Sequence, residues 1–291
     1  MGFKDTFFSR NLSINCRGNL LDLNSPKIMG ILNVTPDSFY DGGKYIVENA
    51  IRERVKEIVK QGADIIDVGA FSSRPGASFI SMKEELERLI PALEIIRELY
   101  PDIPVSVDTF RAEIASKITE SYGVDIINDI TAGEEDPGMF DFIAESNIPY
   151  IMMHMKGRPE TMQKDPEYKD VVNEVLVFLE KKVYELTGRG VNDVIIDPGF
   201  GFGKSIQHNY TLLSGLEVFR ALEVPLLIGI SRKSMTYKFL GTGPESSLNG
   251  TTALHMYALV KGANILRVHD VKEAVEVKKL FEKLTEEEKK A

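Results

Sequence analysis

Asp193-Val194-Ile195-Ile196-Asp197-Pro198-Gly199-Phe200-Gly201-Phe202-Gly203-Lys204-Ser205 carries the plan of the whole chain. Val194 to Ile196 form a short β-branched run, which favours an extended strand over a helix. Asp197 ends that run, a proline and alternating glycines turn the chain, and a segment of helical period follows. The same grammar recurs on both sides of this stretch. Comparable apolar runs are Ile28–Val34, Asp64–Gly69, Ile103–Asp108, Asp125–Asp129, Pro149–His154, Pro225–Ser231 and Asn264–His269. Between them lie patterns such as Glu48–Gln61 and Glu84–Leu99, with apolar residues three and four apart.

Near-continuous Ile/Val/Leu runs alternating with such helices predict parallel strands covered by helices. Eight units of this kind predict a closed (β/α)8 barrel, with an open doubly wound sheet as the alternative. Ser13–Leu23 reads as a hairpin turning near Arg17-Gly18 and placed to cover the bottom of the barrel. The expected organisation is therefore a hairpin extension over residues 1–27 and one barrel domain over 28–291. Thr285–Lys290 reads as the solvated end of the last helix.

Composition narrows the class. A net charge of −9 argues against general nucleic-acid binding, which depends on Lys and Arg neutralising phosphates. Cys16 is the single cysteine, so no intrachain disulfide can form, as in a reducing compartment. The first 11 residues lack the apolar core of a signal peptide, and no apolar run approaches a membrane span. The expectation is a cytoplasmic enzyme acting on small molecules, with neither nucleic acid nor membrane as a partner.

Strand ends hold the chemistry. The runs stop at Asn33, Asp108, Asn128-Asp129, His154, Asp197, Ser231-Arg232-Lys233, and Arg267 with His269, and Ser72-Ser73-Arg74 follows the second. Strands meet water at their ends, so any one of these could be polar for that reason alone. Taken together they describe a polar mouth at the C-terminal face, where such barrels build their sites. Asp108, Asn128, Asp197 and Lys233 suit the edge of a flat heterocycle, since carboxylates accept, an amide does both and an ammonium donates. Asn33, Ser73, Arg74, Arg267 and His269 suit a multiply charged oxyanion, with a metal able to bridge to the amide oxygen. Two long loops, 35–44 and 71–78, follow the first strands and read as lids.

Several patterns are decoys. The Asp197–Ser205 stretch looks like a phosphate loop, but Pro198 stands where the Walker pattern needs glycine and Ile206 where a dinucleotide fingerprint does. These glycines are expected to let the backbone approach a ligand and to bring Phe200 over the mouth. Lys233 has the placement of a Schiff-base lysine, and its neighbour Arg232 does not decide the matter. His154 and His269 lack the spacing of a zinc motif. Met152, Met153 and Met155 read as packing, and His208, His255 and Cys16 as structural.

At this point the residues resemble a known family. Met29–Phe39 (M-G-I-L-N-V-T-P-D-S-F) with Asp41-Gly42-Gly43, then Ser73–Ala77, Val105–Thr109 and Ile127–Asp129, are similar to the signatures of dihydropteroate synthases. So are Met153–Met155, Asp197–Lys204 followed by His208–Tyr210, Ser231–Lys233 and Arg267–Val271, all in family order. The resemblance implies condensation of a dihydropterin pyrophosphate with p-aminobenzoate on a (β/α)8 barrel, without a protein nucleophile. It implies that Asp108, Asn128, Met153, Asp197, Gly229 and Lys233 hold the pterin. Asn33, Ser73, Arg74, Arg267 and His269 would bind pyrophosphate, with Mg2+ on Asn33. Ser73, Arg74, Pro75, Phe200, Ser231 and Lys233 would form the p-aminobenzoate site. Asp37 and Phe39 would lie on a loop that closes over the reaction, as part of the catalytic set with Ser73, Arg74, Lys233, Arg267 and His269. Family members are typically homodimers and targets of sulfonamides.

Two departures stand out. Many members read G-G-E-S-T-R-P-G where Gly69 to Gly76 read G-A-F-S-S-R-P-G, and an acid–arginine pair where this chain has Ser246-Ser247. Two rivals share the pterin residues: a pterin-binding methyltransferase of the same barrel superfamily, and a non-catalytic pterin-binding module. The first needs no pyrophosphate clamp of the Ser73-Arg74 and Arg267-His269 kind. The second would be expected to lose Asn33 and the lid-loop features, all of which are present.

Overall fold

Alternation within the short apolar runs builds the molecule, because successive side chains of a strand point to opposite faces. The structure is a computed structural model that describes residues 12–35, 44–71, 80–157, 162 and 166–290. It opens with an antiparallel hairpin, β1 (Ser13–Cys16) and β2 (Asn19–Asp22). Arg17 and Gly18 make its two-residue turn, both with positive φ (48° and 87°), the geometry that matches the twist of a hairpin.

The barrel strands follow as β3 (Lys27–Asn33), β4 (Ile65–Gly69), β5 (Val105–Asp108), β6 (Ile126–Asp129), β7 (Tyr150–Met153), β8 (Val194–Asp197), β9 (Leu227–Ile228) and β10 (Ile265–Val268). All pairs are parallel and the order is β8-β7-β6-β5-β4-β3-β10-β9. A parallel bridge between Ile196 and Leu226, with the Ile196 N–H donating to the Pro225 carbonyl at 3.0 Å, closes the ring. The closed barrel is thus the observed fold. The Pro225–Ser231 run forms a shorter strand than its length predicts. Pro225 cannot donate to a ladder, and past Ile230 the chain turns tightly, with Lys233 N–H on the Ile230 carbonyl.

Helices α1 (Lys44–Lys60), α2 (Met82–Leu99), α3 (Ala112–Tyr122), α4 (Gly138–Ser146), α5 (Val171–Gly188), α6 (Ile206–Ser214), α7 (Ser234–Tyr237), α8 (Leu248–Val260) and α9 (Val271–Glu288) cover the strands. Their starts are written locally. Ser81 caps α2, Asp170 caps α5 through the N–H groups of Val172 and Asn173, and Ser205 with His208 forms a capping box on α6. Among the described residues no helix is long and apolar enough to cross a membrane.

Outward residues such as Ile66, Val68, Val105, Val107, Ile127 and Ile196 pack against Val55, Ile58, Leu89, Ile114, Leu179 and Leu212 of the helices. Inward residues near the strand starts form a second cluster: Met29, Ile65, Ile126, Ile151, Ile195, Leu227 and Ile265. Ile14, Cys16 and Leu23 complete it from the hairpin, which therefore seals the barrel floor. Each large side chain so buried contributes roughly 1.5–3 kcal/mol. Two residues further along the same strands the inward positions read Ile31, Asp67, Asn128, Met153, Asp197, Gly229 and Arg267.

Candidate active site

Arg267, on β10, stands at the centre of the mouth. Its Nε donates to Asp67 Oδ2 at 2.7 Å, and its terminal nitrogen donates to Asp108 Oδ2 at 3.2 Å. Asn128 Nδ2 lies 3.4 Å from both oxygens of Asp67. Burial works against the Arg267 charge, but Asp67 and Asp108 more than compensate and hold its pKa above the ordinary value. Asp108 Oδ1 is buried with no hydrogen-bond partner. Burial pushes the Asp108 carboxyl up to about 7, with Arg267 pulling it down and Asp67 pushing it further up. A buried carboxylate oxygen without a donor asks for one from a ligand.

Asp197 and Lys233 face each other across the opposite side. A methyl group placed on Gly229 would lie 3.9 Å from both Asp197 Oδ2 and Lys233 Nζ, so the glycine leaves room beside the two charges. Burial raises Asp197 against the pull of Lys233, and lowers Lys233 to about 8 against the pull of Asp197. The glycine loop after β8 supports this pair. Gly199 N–H donates to Asp197 Oδ1 at 2.7 Å, the Phe200 carbonyl accepts from Lys233 Nζ, and the Lys233 ammonium sits 4.6 Å from the centre of the Phe202 ring.

Lys204 turns inward beneath that loop. Its ammonium meets His154 Nδ1 at 2.9 Å and the carbonyls of Gly199, Phe202 and His154 at 2.9, 3.1 and 3.4 Å. Burial lowers Lys204 to about 7 and, together with Lys204, brings His154 down to about 3. The loop is pressed against β7: a methyl on Gly199 would fall 1.9 Å from the His154 carbonyl oxygen, and its φ of 72° also demands glycine. Lys204 thus serves as an internal tether.

The rim completes the arrangement. His269 is half-buried, and burial with Arg267 takes its pKa down to about 4, so the imidazole is neutral at pH 7. The His269 backbone is fixed at both ends, its N–H on Ser231 Oγ at 3.2 Å and its carbonyl on Arg54 at 2.8 Å. Arg232 is committed to Asp270 through contacts of 2.9 and 2.6 Å, which holds Asp270 low. Asn33 stands at the end of β3, its Oδ1 3.3 Å from where a Gly69 side chain would begin. Phe71, Phe110, Ile130, Met153, Met162 and Phe202 form an apolar wall, with Phe71 edge-on to Phe110 at 5.7 Å.

Asn33, Asp108, Asn128, Met153, Asp197, Gly229, Ser231, Lys233, Arg267 and His269 are therefore all gathered at one end of the barrel. Asp37, Phe39, Ser73, Arg74 and Pro75 lie outside the described residues, as do most of the two loops read as lids. Phe200 is a correction. Its ring is fully buried in the layer between strands and helices, so it is Phe202 that reaches the mouth. Phe200 keeps the outward parity of Ile196, and the positive φ of Gly199, Gly201 and Gly203 lets Phe202, two residues on, leave that parity for the mouth. Phe71 and Ser247 find structural use: Phe71 joins the apolar wall, and buried Ser247 donates to the Pro244 carbonyl at 2.6 Å ahead of α8. Among the described residues no group of three or more His, Cys, Asp or Glu side chains could hold a metal.

Fold and mouth together define a class, a (β/α)8 enzyme whose opening is lined by buried donors and acceptors. The family model described as pterin binding enzyme matches residues 29–269. The chain is 43% identical over 276 residues to the dihydropteroate synthase of Escherichia coli, covering 93% of this chain and 96% of that protein. It is 40% identical over 273 residues to that of Haemophilus influenzae, covering 93% and 98%. Among solved structures, the Yersinia pestis dihydropteroate synthase with a sulfonamide drug superposes with a TM-score of 0.88 at 39% identity, covering 94% of this chain and 100% of that one. The Xanthomonas albilineans dihydropteroate synthase with 4-aminobenzoic acid gives 0.86 at 38% identity, covering 95% and 99%. The chain belongs to the pterin-binding enzymes, in their dihydropteroate synthase group, and is a transferase.

Proposed function

We propose that this chain joins 6-hydroxymethyl-7,8-dihydropterin pyrophosphate to p-aminobenzoate, releasing 7,8-dihydropteroate and pyrophosphate. The observation that carries the pterin half is the orphaned Asp108 Oδ1, set in one buried mouth with Asn128, Asp197 and Lys233. Carboxylates accept from ring N–H and amino groups, the amide oxygen accepts beside them, and the Lys233 ammonium donates to a ring acceptor. Met153 and Phe202 would flank the flat ring.

The carbon–oxygen bond to pyrophosphate breaks as the electron-rich dihydro ring supports the methylene cation. The amine lone pair of p-aminobenzoate then forms the new carbon–nitrogen bond, and the nitrogen loses a proton. No protein nucleophile is required, so positioning and charge stabilisation account for the catalysis. Arg267 would supply charge to the departing oxyanion and neutral His269 a hydrogen bond, with Ser73 and Arg74 contributing from the second loop. Arg74, Ser73, Pro75, Ser231 and Lys233 would hold p-aminobenzoate, and sulfonamides would compete there. Asp37 and Phe39 would close over the reaction.

Mg2+ fits one protein donor here. Asn33 offers a partly exposed amide oxygen near the mouth, and Mg2+ commonly takes one or two protein oxygens and completes its shell with phosphates and water. Bound there, the ion would neutralise charge on the leaving pyrophosphate. We also infer a cytoplasmic homodimer. Exposed Tyr257 and Val260 on α8, with Leu280 and Leu284 on the neighbouring α9, support a subunit interface.

The test is pyrophosphate release from the pterin pyrophosphate with Mg2+, with and without p-aminobenzoate. Release that rises with p-aminobenzoate and matches dihydropteroate formed is the expected result. Pterin binding without any release would overturn the synthase reading.

A further inference from the structure

Asp67 is fully buried inside the barrel, one layer below the mouth, and no motif marks it. Its oxygens serve two other residues: Oδ2 accepts from Arg267 Nε at 2.7 Å, and both lie 3.4 Å from Asn128 Nδ2. An ionised carboxylate can only accept, so it dictates which end of a neighbouring amide it meets. The Asn128 nitrogen must therefore point down, and the Asn128 oxygen is left for whatever enters from above. The same carboxylate orients Arg267, whose terminal nitrogen lies 2.7 Å from Asp67 Oδ2 and also reaches Asp108 Oδ2, leaving Asp108 Oδ1 unpartnered. One side chain thus sets the hydrogen-bonding sense of two heterocycle-facing groups and the direction of the arginine between them.

We propose that Asp67 is the positioning residue of the pterin site, fixing Asn128 as an acceptor and aiming Arg267 so that Asp108 keeps one free oxygen for the ligand. This rests on the pterin reading above. Asp67 touches no substrate itself; it acts through Asn128 and Arg267.

The experiment is a double-mutant cycle on the full chain, read as affinity for 6-hydroxymethyl-7,8-dihydropterin pyrophosphate by calorimetry. Asp67→Asn keeps the shape but can present a donor to Asn128, and a lost charged hydrogen bond should weaken binding about tenfold or more. In an Asn128→Ala background, the same substitution should cost about threefold or less, because only the Arg267 share is left. Equal losses in both backgrounds would overturn the proposal and make Asp67 ordinary support for the fold.

A second variant covers the case in which Asp67→Asn does not fold. Asn128→Asp replaces the donor facing Asp67 with a carboxyl, and two carboxylates sharing a site favour protonation. Once protonated, the introduced group can donate to Asp67 and still offer an oxygen upward. Its affinity relative to wild type should therefore recover as pH falls from about 8 to 6. A ratio that stays flat or worsens would overturn the proposal. Wild-type protein that binds no pterin at all would sink the pterin reading itself, a result distinct from either of these.

Discussion

The floor and the mouth of the barrel are built by the same strands, two residues apart, and they obey opposite rules. At the floor Ile65, Ile126, Ile151, Ile195 and Ile265 meet one another and the hairpin, with only apolar atoms to satisfy. At the mouth Asn128, Met153, Asp197 and Arg267 occupy the next inward positions above the buried Asp67, and most of their polar atoms have assigned partners. The inward layer of the floor is apolar, and the charges beside it, Arg17, Arg97 and Asp125, are already paired with one another. The mouth tolerates several because carboxylates and cations are interleaved, and among the described residues it leaves the buried acceptor Asp108 Oδ1 open. Stability is concentrated at one end of the strands and recognition at the other.

The harshest test of this contrast is Ile195→Asp. An unpaired charge in the floor should cost more than about 4 kcal/mol and leave little folded protein. Circular dichroism and thermal melting would reveal it, and a melt like wild type would refute the description of the floor. Two residues up the same strand, Asp197→Asn should leave the fold standing and weaken pterin binding by about 2 kcal/mol, roughly thirtyfold. Calorimetry that finds the affinity unchanged removes Asp197 from the pterin site.

The pH dependence sharpens the mouth further. On the proposed reading the pterin would bind to ionised Asp108 and charged Lys233, whereas in the free site burial raises Asp108 to about 7 and lowers Lys233 to about 8. Below 7 the ligand must displace a proton from Asp108, so affinity falls as pH falls. Above 8 it must restore one to Lys233, so affinity falls as pH rises. The expected profile is a maximum between these values, with limbs approaching about tenfold per pH unit. An affinity constant from pH 5 to 10 would contradict both assignments. The mildest change is Ile195→Val, which should cost about 1 kcal/mol of stability and leave pterin affinity untouched. A matching loss of affinity would mean that floor and mouth are coupled through the strand.

Much of this was legible before any coordinates. The apolar runs locate the strands within a few residues, since a parallel barrel strand is buried on both faces and shows as continuous Ile and Val. Asp108, Asn128 and Asp197 are visible because each ends such a run. Asp67 was not, because it lies inside Ile65-Ile66-Asp67-Val68-Gly69 and does not end it. The available signal was an acid interrupting a β-branched run, at even spacing from Gly69. Its pairing with Arg267 spans 200 residues and is created only by ring closure. Phe200 was misplaced for a different reason. Strand alternation does not extend through glycines with positive φ, so the ring that reaches the mouth could not be read from the order of residues.

The Lys204 tether has a consequence for how the mouth responds to its surroundings. An ammonium held by three carbonyls and an imidazole nitrogen is solvated by protein much as a desolvated metal ion would be. Near its pKa of about 7 the amine passes between an ammonium with three N–H donors and a neutral form with two, against four acceptors around it. The loop that seats Asp197 and Lys233 is therefore tethered most firmly while Lys204 is charged, and the tether loosens as pH rises through about 7.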